Sequence, residues 1–528
     1  MPAMNVGALN PQLRQAALAN QQGQWRQSEA IARTYLRSSG KDPLALTILG
    51  EALLGMRRSV EAENALRQAL AIDQGFARAR LALSACLELQ CRINEAVELL
   101  DGLLAEQPNS RELWEQLAQV LGRAFRFDRA IDAHEQVLRL ESKNPRLWLE
   151  YALALRFAGR QSEALKALRS SVELDPSYAP TWWVIATMAP DALNATDFDL
   201  IERGLAESRH DEMKRFLHVA LATVMDRSGE FEQAYRHFEA GKGISAASAR
   251  YDPAQLERYN TAAIDRFDQQ FFAEREGFGA MSEAPIFIVG LPRSGSTLVG
   301  RILGGHSLIE AAGELPIIRS IIDELEGDAE KRAEYRDLLP NLSAARAKEL
   351  GELYLARSRE FRTSDKPLFI DKLHMNWMHM ALIRLILPNA RIIDVRRNAL
   401  DCCWSNFKTI FTSGHPAADN LNHIGRFYRE YVRMMDHAAG WREGGILNVS
   451  YEALVADIEG ETRRMTDFLG LEFEPASLGF HRVASPVATQ SAEQVRRPLN
   501  SEGIGRWKPY RQWLGPLFDA LGPLAKEE

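Results

Sequence analysis

The chain has 528 residues, 46% of them apolar and 26% charged, enough for roughly three or four domain-sized cores and incompatible with wholesale disorder. Its 64 Lys and Arg against 71 Asp and Glu leave a net charge of −7, which disfavours a general nucleic-acid binder while leaving room for a local basic cleft. The four cysteines, Cys86, Cys91, Cys402 and Cys403, form no C-x-x-C pair, so no zinc ribbon, redox dithiol or disulfide framework is expected.

In chain order, the first 180 residues repeat. Alanine recurs at Ala62, Ala96, Ala130 and Ala164, a step of 34 residues. A second column of small residues lies twelve positions upstream, at Gly50, Ser84, Ala118 and Ala152. Tryptophan recurs at Trp114, Trp148 and Trp182, and twelve positions after each alanine stand Gln74, Pro108, Ser142 and Pro176. Two antiparallel helices per unit pack closely only where small side chains let the backbones approach. A bulky residue fills the gap to the next unit, and proline or a turn residue stops the second helix. The pattern resembles the tetratricopeptide repeat, a helix-turn-helix unit that stacks into a superhelix. Residues 10–39 read as a degenerate first copy with Ser28 in the alanine column. Residues 212–243 read as a further pair with Ala234 in that role, out of phase because Ala164 to Ala234 is 70 residues. Residues 1–180 are expected to form a tetratricopeptide α-solenoid that binds a protein partner, and 181–280 a helical connector. His134 and His210 read as packed or solvated side chains rather than ligands.

The character changes at Met281. Residues 284–290, APIFIVG, are a short apolar run rich in β-branched residues and bounded by Gly290, the pattern of a buried parallel strand. LPRSGST follows over 291–297, then LVGRIL, a helical pattern. Strand, glycine-rich turn and helix make a phosphate cradle, in which backbone N–H groups and the positive helix end converge on an anion. Gly290 and Gly295 give the G-x4-G spacing, but Ser296 and Thr297 follow the second glycine directly. A nucleotide triphosphatase has Lys there, then Ser or Thr. ATP or GTP hydrolysis is therefore disfavoured, and Arg293 is the cation inside the loop.

PRSGST after such a strand resembles the sulfotransferases that use 3′-phosphoadenosine 5′-phosphosulfate (PAPS). The resemblance implies a P-loop-like α/β sulfotransferase domain with a parallel sheet over 281–515, ahead of a tail at 516–528. It implies that Arg293, Ser294, Gly295, Ser296 and Thr297 hold the 5′-phosphosulfate without a metal. The family's second element is a strand ending in Arg, with Ser eight residues on, which grips the 3′-phosphate. ARIIDVRRNALDCCWSNF matches it with Arg397 and Ser405, whereas Arg396 would be followed at that spacing by Trp404. A guanidinium fork suits a terminal phosphate dianion because it donates two parallel hydrogen bonds.

Further segments resemble the tyrosylprotein sulfotransferases. HSLIEAAGELPII carries a Gly-Glu whose Glu is the family's catalytic base, here Glu314. FIDKLHMNW resembles the segment of the catalytic lysine, here Lys372, with Asp371 where the family has Asn. NVSYEALV resembles the family's Tyr-Glu-x-Leu segment, which implies that Tyr451 lies near the adenine. SAEQVRRPLNSEGIGRW resembles the C-terminal cofactor-covering segment, with Ser491, Gln494, Pro498, Asn500 and Trp507 in register and Arg506 replacing the family's lysine. Residues 480–515 hold six basic side chains against two acidic, an excess that suits a doubly phosphorylated nucleotide.

These matches imply transfer of a sulfuryl group from PAPS to an acceptor hydroxyl. A protein tyrosine is one acceptor, a small-molecule or glycan hydroxyl another. Lys372 would stabilise charge developing on the leaving oxygen. Glu314 would take the acceptor proton, and burial is expected to raise its pKa towards about 6 or 7. His306 and His374 stand as alternative bases or as structural histidines, and Cys402 and Cys403 as core residues. All nucleotide motifs lie beyond Met281, so the nucleotide site is expected to be intact without residues 1–180. The competing reading is a repeat scaffold with a catalytically inactive P-loop-like domain, against which the presence of both Glu314 and Lys372 argues. The tyrosylprotein enzymes are membrane-anchored. Here no run of about 18 apolar residues and no basic-then-apolar leader is visible, so no membrane span, no nucleic-acid partner and a cytoplasmic location are expected.

Overall fold

The computed structural model describes residues 10–248, 251–327, 334–411, 415–483 and 487–527. The chain forms two compact units, one of Met1–Glu141 with Leu315–Arg362, the other of Ser142–Glu314 with Thr363–Glu528.

The first unit holds the helix pairs Pro11–Gln21 with Trp25–Ser39, Pro43–Gly55 with Ser59–Ile72, Ala77–Leu89 with Ile93–Glu106, and Arg111–Arg123 with Phe127–Leu140. The second continues with Pro145–Ala158 and Gln161–Leu174, and holds the out-of-phase pair Asp211–Ser228 and Phe231–Ser248. The alanine column is fully buried: Ser28, Ala62, Ala96, Ala130, Ala164 and Ala234 are all at 0% exposure. A Cβ on Gly50 would lie 2.6 Å from Leu66 Cγ, so the missing side chain is what lets these two helices touch. The tryptophan and turn columns are one device. The indole N–H groups of Trp114, Trp148 and Trp182 donate to the carbonyls of Pro108, Ser142 and Pro176, each at 2.8 Å. Each bond satisfies a carbonyl beyond the stop of the preceding helix, where the helical ladder has ended. His134 is buried and His210 exposed.

A further column is invisible in residue type. Gly23, Arg57, Cys91, Phe125 and Gly159 all take positive φ, at 71°, 58°, 59°, 59° and 90°. They are the sharp turns inside successive helix pairs. A left-handed conformation costs a non-glycine residue about 1–2 kcal/mol, and three of these side chains gain contacts that offset it. Within the first unit Arg57 pairs with Asp323 at 2.9 Å, the Cys91 thiol meets Ser320, and the Phe125 ring lies 6.5 Å from that of Phe361.

Among the described residues the second unit contains five parallel strands: β1 (Pro285–Gly290), β2 (Ile309–Gly313), β3 (Leu368–Asp371), β4 (Arg391–Arg396) and β5 (Ile446–Ser450). Their order is β2-β3-β1-β4-β5. Every residue of β1 is buried, which is why it reads as a continuous apolar run rather than an alternating one. Ile286 and Ile288 of β1 pack with Val299, Ile302, Ile370, Ile393 and Val449. From β1 the chain runs to β2 on one side, while β4 lies on the other. The C-terminal end of β1 is thus the switch point of the sheet, where the ligand crevice of such sheets opens. No described helix is long and apolar enough to cross a membrane.

Candidate active site

β1 ends at Gly290, with φ of 153°, where a Cβ would lie 2.6 Å from Val395 O and 2.9 Å from Ser294 Oγ. Arg293 has φ of 69° and Gly295 of 101°. A Cβ on Gly295 would meet Tyr451 Cδ2 at 2.6 Å. These turns deliver the chain sharply into the helix Ser296–Gly304. The first N–H groups of that helix have no acceptor within it, and its dipole adds positive potential. Ser294 Oγ is buried and has no hydrogen-bond partner. An orphaned hydroxyl, free amides and two glycines that no side chain could replace fit a group of phosphate type.

Asn398 caps the helix Ala399–Lys408, its side chain accepting from Leu400 N–H at 3.1 Å and Asp401 N–H at 3.2 Å, which pins the end of β4 and hence Arg397. Arg397 Nη1 donates to Arg293 O at 3.0 Å and Nη2 to Gly503 O. Its guanidinium lies 5.1 Å from the centre of the Tyr451 ring, and its Nε is buried without a partner. Arg396 is instead held by Asp394 at 2.7 Å and Asp436 at 2.6 Å. Of the two arginines, it is Arg397 that bonds to the loop. Ser405 Oγ accepts from Arg293 Nε at 3.1 Å. Arg293 also donates to Ser491 Oγ, and to Gln494 Oε1 at 3.0 Å. Burial and the neighbouring Arg397 push the Arg293 pKa down to about 10. One guanidinium therefore gathers loop, helix and C-terminal segment, and crowded by a second cation it is a place where an anion is stabilised.

Arg506 stands apart from this cluster, its Nη2 paired with Asp226 at 3.2 Å. The same carboxylate accepts from Lys408 at 2.9 Å and from Tyr510 at 2.5 Å. Asp401, which none of the sequence motifs singles out, accepts the N–H groups of Gly505 at 2.7 Å and Trp507 at 3.2 Å and so holds the C-terminal segment in place. Its signal was its position one helical turn after Arg397. The expectation that the nucleotide site is intact without residues 1–180 meets a contact between the two parts of the sequence. Ser491 and Gln494 sit on a segment bonded to the repeat helix Pro145–Ala158, through Arg156 and Phe157.

Glu314 and Lys372, 58 residues apart, are brought together by register. Gly313 faces Asp371 across the β2–β3 ladder, and Lys372 N–H donates to Gly313 O at 2.8 Å. The residues that follow therefore meet, and Lys372 Nζ donates to Glu314 Oε1. Lys372 is 7% exposed, and its stem lies 3.6 Å from where a Cβ on Gly300 of the loop helix would be. His374 Nδ1 is 3.9 Å from the same carboxylate oxygen. Burial alone would push the Glu314 carboxyl up, as the sequence predicts, but Lys372 and His374 outweigh it and hold the pKa below its ordinary value. Burial pushes His374 down to about 4. His415 is pushed to about 3 by burial and by His374, and its Nε2 has no partner.

His306 is built into the fold: its Nε2 bonds Glu472 O at 3.0 Å and its Nδ1 accepts from Leu308 N–H at 3.1 Å. Cys402 and Cys403 are fully buried, and burial pushes the Cys402 thiol up to about 12. Among the described residues no group of three or more His, Cys, Asp or Glu is placed to hold a metal ion.

Residues 285–475 match the Sulfotransferase family, and residues 53–120 and 145–188 match tetratricopeptide repeats. An uncharacterized protein of Aquifex aeolicus is 28% identical over 57% of this chain, which spans 40% of that protein's length. Protein-tyrosine sulfotransferase A of Caenorhabditis elegans is 23% identical over 48% of this chain and 70% of its own. A crystal structure of MamA, 18% identical, covers 30% of this chain and 94% of its own with a TM-score of 0.28.

Proposed function

We propose that this chain, a tetratricopeptide-repeat array joined to a sulfotransferase-family domain, moves the sulfuryl group of PAPS to an acceptor hydroxyl, with a protein tyrosine as the acceptor and the repeats as a protein-docking module. The observation that carries the reading is the Lys372–Glu314 pair at the ends of adjacent strands, with the Lys372 stem beside the helix that opens the phosphate loop. The match of residues 285–475 supports the reaction class, and the name of the nematode relative supports tyrosine.

The amides that open the helix Ser296–Gly304, with Ser294, Ser296 and Thr297, would hold the 5′-phosphosulfate. Arg397, Arg293 and Ser405 would meet the 3′-phosphate, with Ser491 beside them and Tyr451 against the base. Arg506 joins this set only by exchanging Asp226 for a phosphate. PAPS supplies an activated sulfuryl group, and the residues supply position and charge, which is most of what such transfers need. Glu314 is ionised and set to take the acceptor proton. A phenol with a pKa near 10 asks more of a depressed carboxylate than it can give at rest. Lys372 answers part of that demand. Any share of its charge drawn to a leaving oxygen is withdrawn from Glu314, whose basicity then rises.

The test is incubation with PAPS labelled in the sulfuryl group, and three acceptors: a tyrosine peptide, a glycan and a small phenol. Label on the peptide with matching release of 3′-phosphoadenosine 5′-phosphate (PAP) is expected. Label on the glycan or phenol alone moves the acceptor. PAP binding with no transfer to any acceptor supports the inactive-scaffold reading, and no binding of PAP overturns the donor assignment.

A further inference from the structure

The segment 487–496 contains a short helical turn with two working faces. Gln494 N–H and Val495 N–H both donate to Ser491 O, at 3.1 and 3.2 Å, so residues three apart share a side. Ser491 and Gln494 form one such pair, and both accept from the Arg293 guanidinium of the phosphate loop. Glu493 and Arg496 form the other, and both engage the repeat helix Pro145–Ala158. Arg156, only 1% exposed, grips Glu493 as a fork, Nε to Oε1 at 2.6 Å and Nη2 to Oε2 at 2.8 Å. Arg496 returns the contact, donating to Arg156 O at 3.2 Å and Phe157 O at 3.0 Å, the terminal carbonyls of that helix. Val487 N–H adds a third bond to the same end, at 3.1 Å to Phe157 O. The helix stops there at Gly159, whose φ is 90° and where a Cβ would lie 3.2 Å from Arg496 Nη2.

A buried arginine in a repeat helix is costly unless paired, and here its partner lies on the segment that touches the phosphate loop. The path runs by side-chain bonds from Arg156 to Glu493, along the backbone one residue to Gln494 and two back to Ser491, and by side-chain bonds again to Arg293. Resting on the donor-site reading above, we propose that Arg156 is a positioning residue of the nucleotide site, acting through Glu493 to hold Ser491 and Gln494 against Arg293. The repeat array is then part of the donor site, and occupancy of that site and the seating of the helix Pro145–Ala158 are reciprocally linked.

The test uses the full chain and measures the PAP Kd by calorimetry, with KM for PAPS and kcat separately. Arg156→Ala should weaken PAP binding by about 5–150-fold, the usual span of such coupling, and raise the donor KM more than it lowers kcat. Arg156→Lys keeps the charge but not the fork and should fall between the two. The exchange Arg156→Glu with Glu493→Arg restores the pair and should recover most of the affinity, which a merely structural loss would not. If Arg156→Ala fails to fold, Glu493→Gln becomes the deciding variant, with the same loss of PAP affinity expected. A folded Arg156→Ala or Glu493→Gln chain that binds PAP like wild type overturns the proposal. A wild-type chain that does not bind PAP removes the ground for both the donor assignment and this coupling, and is distinguishable because no variant is needed to see it.

Discussion

Glu314 should titrate below the ordinary carboxylate range, and Lys372→Met should reverse that. An opposite charge in direct contact lowers a carboxyl pKa by about 1–3 units, and Lys372 Nζ sits on Glu314 Oε1. Substitution by methionine keeps the stem and removes the ammonium. Burial, which pushes the carboxyl up, is then no longer opposed by an ammonium in contact with it. The Glu314 pKa should therefore rise by about 1–3 units and pass the ordinary value near 4.3. The sign follows from which form acts as base. In wild type the carboxylate stays ionised as pH falls, so kcat/KM should be level on its acid side from about pH 8 down to about pH 5. In Lys372→Met the residual activity should be low at every pH, with an acid limb displaced upward into about pH 5–7. The position of the limb, not its height, is the readout. In wild type the site histidines do not confuse it, since burial above all holds His374 and His415 down to about 4 and 3. A wild-type limb between pH 6 and 7, as burial alone predicts, or identical limb positions in the two proteins, would refute the reasoning.

Glu314→Gln keeps the shape and removes the base, so kcat should fall by roughly 10²–10⁴-fold while the calorimetric PAP affinity stays close to wild type. The two adjacent arginines should separate by assay. Arg397→Ala should weaken PAP more than the analogue without the 3′-phosphate, by about 1.5–3 kcal/mol for each charge-assisted bond lost, and equal losses for both nucleotides would move the phosphate contact elsewhere. Arg396→Ala leaves Asp394, 1% exposed, without its guanidinium, so it should cost about 3 kcal/mol in chemical denaturation with little change in nucleotide affinity. Cys86, Cys91 and Cys402 are buried and their thiols pushed up to about 12, and burial raises Cys403 likewise. A thiol reagent at pH 8 should label none of the four until the chain is unfolded, and one fast stoichiometric reaction would contradict that.

Local chain geometry was legible, and pairing across the fold was not. The repeat columns could be read because close helix approach demands small residues at fixed positions, and each alanine in the column is fully buried. The positive-φ column of Arg57, Cys91 and Phe125 could not, because three unlike residues hold it. β1 and β4 announce themselves as apolar runs. β2, β3 and β5 are only four or five residues long, and IEAAG or LFID says nothing about which strand lies beside it. The turn after β1 was legible because its glycines, Gly290 and Gly295, answer to their own backbone. The Glu314 pKa was misjudged because burial belongs to the residue, whereas the neighbouring ammonium belongs to the β2–β3 register. The same holds for the C-terminal segment. Its charges were read as one basic face for a nucleotide, yet Glu493 and Arg496 turn to the repeats while Ser491 and Gln494 turn to the loop. Arg156, in its helix, reads as one more polar repeat residue, and its partner is 337 residues away. A side chain whose role lies in a bond of that range has no local signature, and the repeat boundary drawn from the motifs at residue 180 leaves Arg156 and Glu493 on opposite sides of it.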